Sequence, residues 1–174
     1  MNTESLSLLL PWVKRYEIIG YLAVFLLSFG ESLAFLGIVF PGTFFLVFAG
    51  FLSAKGFLGI DNIILLAISG ATLGDFISFY AGRKGINLFN KKNRLFNHTY
   101  LKKGEEFFKK HGIWSILFGK FVGPIRSVMP FTAGLFSMNI KIFLAITITS
   151  AVIWATSLSL LGFFFWESWA LIDQ

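Results

Sequence analysis

The stretch FGKFVGPIRSVMP, residues 118–130, lies between apolar runs yet holds Lys120 and Arg126, Gly119 and Gly123, and Pro124 and Pro130. Proline removes a backbone donor and restricts the residue before it, so Gly123-Pro124 ends any helix in mid-run. A Lys or Arg at the centre of a membrane helix costs roughly 2.5–3.5 kcal/mol on insertion scales. Broken backbone is tolerated at membrane depth only inside protein or against a water-filled cavity. The stretch therefore predicts the tip of a re-entrant hairpin, with Lys120 and Arg126 facing a polar cavity.

The rest of the chain agrees with a lipid environment. Of 174 residues, 56% are hydrophobic and only 14% charged, with 23 Phe and 5 Trp. A soluble domain is about a quarter charged. Aromatic side chains on this scale suit lipid contact and the headgroup belt. There is no cysteine, which excludes disulfides, thiol catalysis and Cys-ligated metals. The charge is concentrated. Between Arg83 and Lys110 lie nine basic residues and two acids, a net +7 in a chain whose total is +6. The positive-inside rule places this connection on the cytoplasmic side, with anionic headgroups rather than nucleic acid as its neighbour. Lys14 and Arg15 precede an apolar run as in a signal peptide, but no A-x-A-like site follows and Glu31 interrupts, so a retained membrane segment is expected. In a cytoplasmic loop the Asn97-His98-Thr99 sequon carries no glycan.

Working outward from the hairpin, a similar pattern precedes it. Residues 1–17 read as an interfacial N-terminal segment, SLSLLLPWV being short and mixed. Ile18 to about Phe40 is apolar except for Glu31, and ends in Phe40-Pro41-Gly42-Thr43. Phe44 to Ala54 covers only about half of a ~30 Å hydrocarbon core. Asp61-Asn62 reads as a helix N-cap. A spanning helix follows to about Gly82, with Ser69, Gly70, Ala71 and Gly74 spaced for close packing, internally or in a homo-oligomer. After the basic connection (83–111), Ile113–Phe118 is a short leg, SVMPFTAGLFS returns, and Ile140 to about Phe165 spans. Pro41-Gly42 then Ala49-Gly50 corresponds to Gly123-Pro124 then Ala133-Gly134. A hairpin plus one span makes an odd number of crossings, so the second copy is inverted. The expected fold is an all-α polytopic membrane protein: two re-entrant helical hairpins, each followed by a spanning helix, as an inverted repeat of residues 18–82 and 112–166. Transporters of this architecture bind where the broken helices meet near the midplane.

Four ionisable residues fall at membrane depth: Glu31, Asp75, Lys120 and Arg126. Two acids and two bases predict pairing with one another or with an anionic ligand. Pro41, Gly42, Gly123, Pro124 and Pro130 read as helix breakers without chemistry of their own.

In order, Glu31, Phe40-Pro41-Gly42, Ala49-Gly50, Leu73-Gly74-Asp75, Tyr80, Gly82, Phe121, Gly123-Pro124, Arg126, Pro130, Ala133-Gly134, Met138 and Trp154 resemble the DedA family, the prokaryotic members of the SNARE-associated Golgi or VTT-domain proteins. The resemblance covers about Gly30 to Gly162. It implies re-entrant hairpins in a bacterial or archaeal plasma membrane, and flippase activity on undecaprenyl phosphate or a phospholipid, with protons or another cation as coupling partner. It places the phosphate contact on Arg126 and Lys120, and coupling on Glu31 and Asp75. Two positions depart from the family pattern: Thr43 stands where an acid is usual after Pro-Gly, and Lys120 where Arg is usual. Lysine lacks the bidentate fork that suits phosphate, so Arg126 carries the main contact.

Other classes are weaker. A membrane lipid phosphatase needs catalytic histidines, and only His98 and His111 exist, both before the cationic hairpin. No phosphate loop, zinc spacing or nucleophile elbow is present, and no cofactor or metal is implied. An ion or proton transporter or channel would use the same four charges. A non-transporting scaffold would tolerate their neutral replacement.

Overall fold

The computed structural model describes residues 3–34, 36, 42–85, 106, 110, 112, 114–120 and 126–172. Most of the basic connection, with His98 and His111, and the expected helix breakers Pro41, Gly123 and Pro124 lie outside the described residues. Every regular element among those described is helical: α1 (Thr3–Ser32), α2 (Gly42–Ala54), α3 (Ile60–Lys84), α4 (Trp114–Gly119), α5 (Met129–Leu135) and α6 (Ile140–Ile172).

Length sorts them. The 25 residues of α3 rise about 37 Å, more than a ~30 Å core. Residues 140–166 of α6 are also long enough, and among the described residues these two helices are long and apolar enough to cross a membrane. The 13 residues of α2 rise only about 20 Å. Among the described residues the helices present many large apolar side chains outward, with Leu22, Leu26, Phe44, Phe48, Leu65, Leu161, Phe164 and Phe165 exposed. In water so large an apolar surface would drive association; against lipid it is ordinary solvent contact.

Helix α1 runs beside α3 in the same direction. The Tyr21 hydroxyl meets Gly59, the Phe25 carbonyl packs on Gly70, and the Phe29 carbonyl packs on Gly74. Helix α2 starts against Glu31 and returns toward the end from which α3 sets out. At the opposite end, α5 lies on the last turns of α3. One core cluster joins α1, α2, α3 and α6 around Leu46, Ile63, Ala71 and Trp154. A second joins α3, α4, α5 and α6 around Phe79, Ile116, Ala133 and Phe143, with the Phe79 and Phe143 rings stacked at 4.2 Å.

The short helices are locked crosswise. A Cβ on Gly50 of α2 would lie 2.0 Å from the Ser159 carbonyl oxygen of α6, and one on Gly162 of α6 would lie 1.9 Å from that of Val47. The same reciprocal contact joins α5 to α3: Gly134 faces the Phe79 carbonyl and Gly82 that of Phe131. Only glycine permits such backbone approach. The two short helices also end alike. In α2, Gly56 (φ 79°) follows the last turn, with Gly56 N–H donating to Ser53 O and Phe57 N–H to Leu52 O. In α5, Ser137 (φ 54°) takes that place, with Ser137 N–H donating to Gly134 O and Met138 N–H to Ala133 O. Both are Schellman ends, the second made without glycine.

Three boundaries differ from those read in the sequence. Helix α1 runs without a break from Thr3 to Ser32 and so crosses the division read in the sequence between residues 17 and 18; it carries Pro11, which ordinarily kinks or breaks a helix interior, in a stretch rich in the good helix former Leu. At its other end α1 stops at Ser32, although the apolar run continues to about Phe40; just beyond it Ser78 Oγ accepts the Ala34 N–H at 2.8 Å, and the Ser78 hydroxyl proton is shared between the Gly74 carbonyl at 2.8 Å and the Ser32 carbonyl at 3.2 Å. Helix α3 has Gly59, not Asp61 or Asn62, as its N-cap. The Tyr21 hydroxyl accepts from the Gly59 N–H at 2.9 Å and from Asn62 Nδ2 at 3.2 Å, so a neighbouring helix supplies the cap.

Candidate functional site

Glu31, Asp75, Lys120 and Arg126 come from four different places in the chain, and the fold gathers them into one buried cluster. They sit on the last turn of α1, within α3, just after α4 and just before α5. None is more than 8% exposed. Asp75 lies about 22 Å along α3 from Ile60 and about 14 Å from Lys84, so the cluster is displaced from the middle toward the basic connection.

The charges form two pairs. Lys120 Nζ donates to Asp75 Oδ2. Arg126 Nη1 donates to Glu31 Oε1 at 2.8 Å. Thr43 joins the second pair: its hydroxyl donates to Glu31 Oε1 at 2.6 Å and accepts from Arg126 Nη1 at 3.0 Å. Gly42 fits because it lacks a side chain; a Cβ there would lie 2.1 Å from Glu31 Oε2. The carboxylate thus rests on the first residue of α2, where free backbone donors favour negative charge. The Arg126 guanidinium lies over the Trp154 indole, 4.7 Å from the ring centroid, in a cation–π contact from α6.

The second pair is incomplete. Among the described residues, neither Glu31 Oε2 nor Arg126 Nη2 has a hydrogen-bond partner. Buried polar groups left unsatisfied cost roughly 1–3 kcal/mol each, more when charged, and are uncommon in folded proteins. A free guanidinium nitrogen beside a free carboxylate oxygen is a site equipped to take a further polar group. An anion with two acceptor oxygens matches the fork of Arg126.

Among the sequence-expected breakers, Gly42 adjoins the cluster as described, and Pro130 is buried in the first turn of α5, where a missing N–H is tolerated. The role of Thr43 was not legible. It registers in the sequence only as a neutral residue after Pro-Gly, and its two partners lie in α1 and ahead of α5.

An all-helical chain with a lipid-facing surface and a buried cluster of paired charges is a membrane protein built around a polar site. Residues 40–164 match the model of the VTT domain, and the chain belongs to that family, which includes DedA. It is 33% identical to the inner membrane protein YabI of Escherichia coli over 153 residues, 85% of this chain and 59% of that protein. It is 31% identical to protein DedA of Escherichia coli over 157 residues, 88% of this chain and 72% of that protein. Identity to the inner membrane protein YqjA of Escherichia coli is 32% over 163 residues, 87% of this chain and 74% of that protein. The chain therefore spans 59% of YabI but nearly three quarters of DedA and YqjA. No solved structure matches it.

Proposed function

We propose that this chain moves a phosphate-bearing lipid, a polyprenyl phosphate such as undecaprenyl phosphate or a phospholipid, between the leaflets of a bacterial or archaeal plasma membrane. The observation that carries this reading is the Glu31–Thr43–Arg126 arrangement: a buried guanidinium held by a carboxylate, with one nitrogen that has no hydrogen-bond partner among the described residues. In the empty site Glu31 and Thr43 neutralise and position Arg126. A phosphate head takes the guanidinium fork, and Lys120 adds point charge. The displaced Glu31 takes up a proton or another cation, as does Asp75 if Lys120 moves. That exchange is the route by which transport couples to an ion gradient.

The architecture proposed for this movement is an inverted repeat of 18–82 and 112–166, each copy a re-entrant hairpin followed by a span, with the 83–110 connection cytoplasmic. Its support is the paired behaviour of α2 and α5. Both are too short to span, both begin near the charge cluster, both end in the same cap, and each locks through two glycines onto a long helix of the other half.

The test is equilibrium binding to the purified protein in detergent. A short-chain polyprenyl phosphate is compared with the polyprenol of the same length. Wild type is expected to bind the phosphate at least tenfold more tightly, and Arg126→Ala to remove that preference. Equal binding of phosphate and alcohol by wild type refutes a phosphate site and leaves an ion pathway as the better account of the four charges.

A further inference from the structure

Between α1 and α2 lies an apolar groove of about 190 Å³ that the charge cluster does not use. Ala23, Leu27 and Ser28 of α1 line it with Gly42, Phe45 and Leu52 of α2. Its inner end is Gly42, the residue whose other face supports the Glu31 carboxylate. Its flanks carry Leu22, Leu26, Phe44 and Phe48, all on the lipid-facing surface. The groove thus runs from lipid to the buried charges, and at its deep end only a glycine separates the two.

The packing around the groove explains why it lies there. Helix α2 is locked backbone to backbone onto α6 through Gly50 and Gly162. Helix α1 is locked onto α3 through Gly70 and Gly74, with Phe25 and Phe29 carbonyls where Cβ atoms would otherwise stand. The α1–α2 seam has no such backbone interlock: it is joined at its inner end by the Thr43–Glu31 hydrogen bond, with Gly42 packed on the same carboxylate, and along the rest of its length side chains face each other and leave a void. Once an anionic head displaces Glu31 and frees Thr43, a seam between two closely packed pairs of helices parts at lower cost than either pair does, because parting it breaks no close backbone contact.

We infer that the α1–α2 groove is the site where the first part of the lipid's hydrocarbon chain lies while its anionic head is on Arg126, and that lipid enters sideways through this seam. The inference rests on the phosphate-lipid reading of the charge cluster and adds the path of the tail. The shape fits an amphiphile: apolar walls outward, Arg126 and Lys120 inward, joined at Gly42. A dry apolar cavity of about 150 Å³ accepts benzene, so about 190 Å³ takes roughly seven or eight carbon atoms. That is one isoprene unit and part of the next, or a similar run of methylenes, and the rest of the chain stays in the bilayer. The contact is with generic hydrocarbon, so the groove sets how the lipid is held and the phosphate site sets which head is chosen.

The experiment measures leaflet exchange of a fluorescent polyprenyl phosphate in proteoliposomes for wild type, Ala23→Trp, Leu22→Trp and Arg126→Ala, each first shown to elute as a folded species. Ala23→Trp fills the groove, whereas Leu22→Trp puts the same bulk on the neighbouring lipid-facing position. Exchange slowed at least tenfold by Ala23→Trp and unchanged by Leu22→Trp is the expected result. Wild-type exchange in Ala23→Trp together with loss in Arg126→Ala overturns the groove and leaves the head site standing. Wild-type exchange in all three variants overturns both. If Ala23→Trp does not fold, wild type is photolabelled with a polyprenyl phosphate carrying a diazirine on its first isoprene unit. Labelling of peptides spanning 20–28 and 42–52 supports the groove, and labelling confined to other helices refutes it.

Discussion

Asp75→Asn tests the pairing of the buried charges. It removes the acid and leaves Lys120, only 6% exposed, with a charge and without the carboxylate it pairs with. Unit charges about 3 Å apart attract by about 5–6 kcal/mol at an effective dielectric of ~20. Deleting one partner of a buried pair is measured at about 3–5 kcal/mol, because the remaining charge stays buried and uncompensated. At roughly 2–4 °C per kcal/mol for a chain of this size, the melting temperature in detergent should fall by roughly 6–20 °C. Lys120→Met alone should cost a similar amount, since it strands Asp75. The double variant Asp75→Asn/Lys120→Met leaves no charge to compensate and should return to within about 1 kcal/mol of wild type. The assay is a double-mutant cycle on thermal unfolding, followed by size-exclusion chromatography. A double variant that loses the sum of the two single losses refutes the pairing, because additivity means the residues do not interact. A restored double variant that no longer exchanges lipid would separate the fold's need for neutrality from transport's need for a cation.

Three further outcomes follow from local geometry. Ser137→Gly places the residue suited to a positive φ at the end of α5 and should stabilise by about 1 kcal/mol, read as a small rise in melting temperature. Gly82→Ala puts a Cβ 2.0 Å from the Phe131 carbonyl oxygen, so α3 and α5 must part by about 1 Å or more, and stability should fall by about 1–3 kcal/mol in the same melt. Arg126→Lys keeps the charge but loses the second nitrogen, so affinity for a polyprenyl phosphate should drop about tenfold or more, whereas Lys120→Arg should hold it, both measured by equilibrium binding.

The sequence carried much of this because hydrophobic runs, breakers and misplaced charges are local signals. The lengths of α3 and α6, the shortness of α2, and the burial of Glu31, Asp75, Lys120 and Arg126 all follow from residue types read in order. What it did not carry depends on contact between distant segments. Four charges permit two pairings; the letters offer Glu31 as a partner for Arg126 but do not fix that pair, nor Lys120 with Asp75. Thr43 looks inert until Glu31 and Arg126 both reach its hydroxyl. The Ala-Gly pairs at 49–50 and 133–134 read as corresponding positions of a repeat without saying that each glycine faces a carbonyl of a long helix distant in the chain. Ser78 and Tyr21 meet the ends of α1 and α3 from neighbouring helices, so no local capping rule could find those contacts.

In the proposed function the Arg126 nitrogen that has no partner among the described residues carries a phosphate head across the membrane. The most direct measurement is leaflet exchange in proteoliposomes, following a polyprenyl phosphate beside the polyprenol of equal length, with wild type and Arg126→Ala. The account predicts that wild type exchanges the phosphate and not the alcohol, and that Arg126→Ala exchanges neither above the protein-free rate. Phosphate exchange that persists at the wild-type rate in folded Arg126→Ala would contradict it.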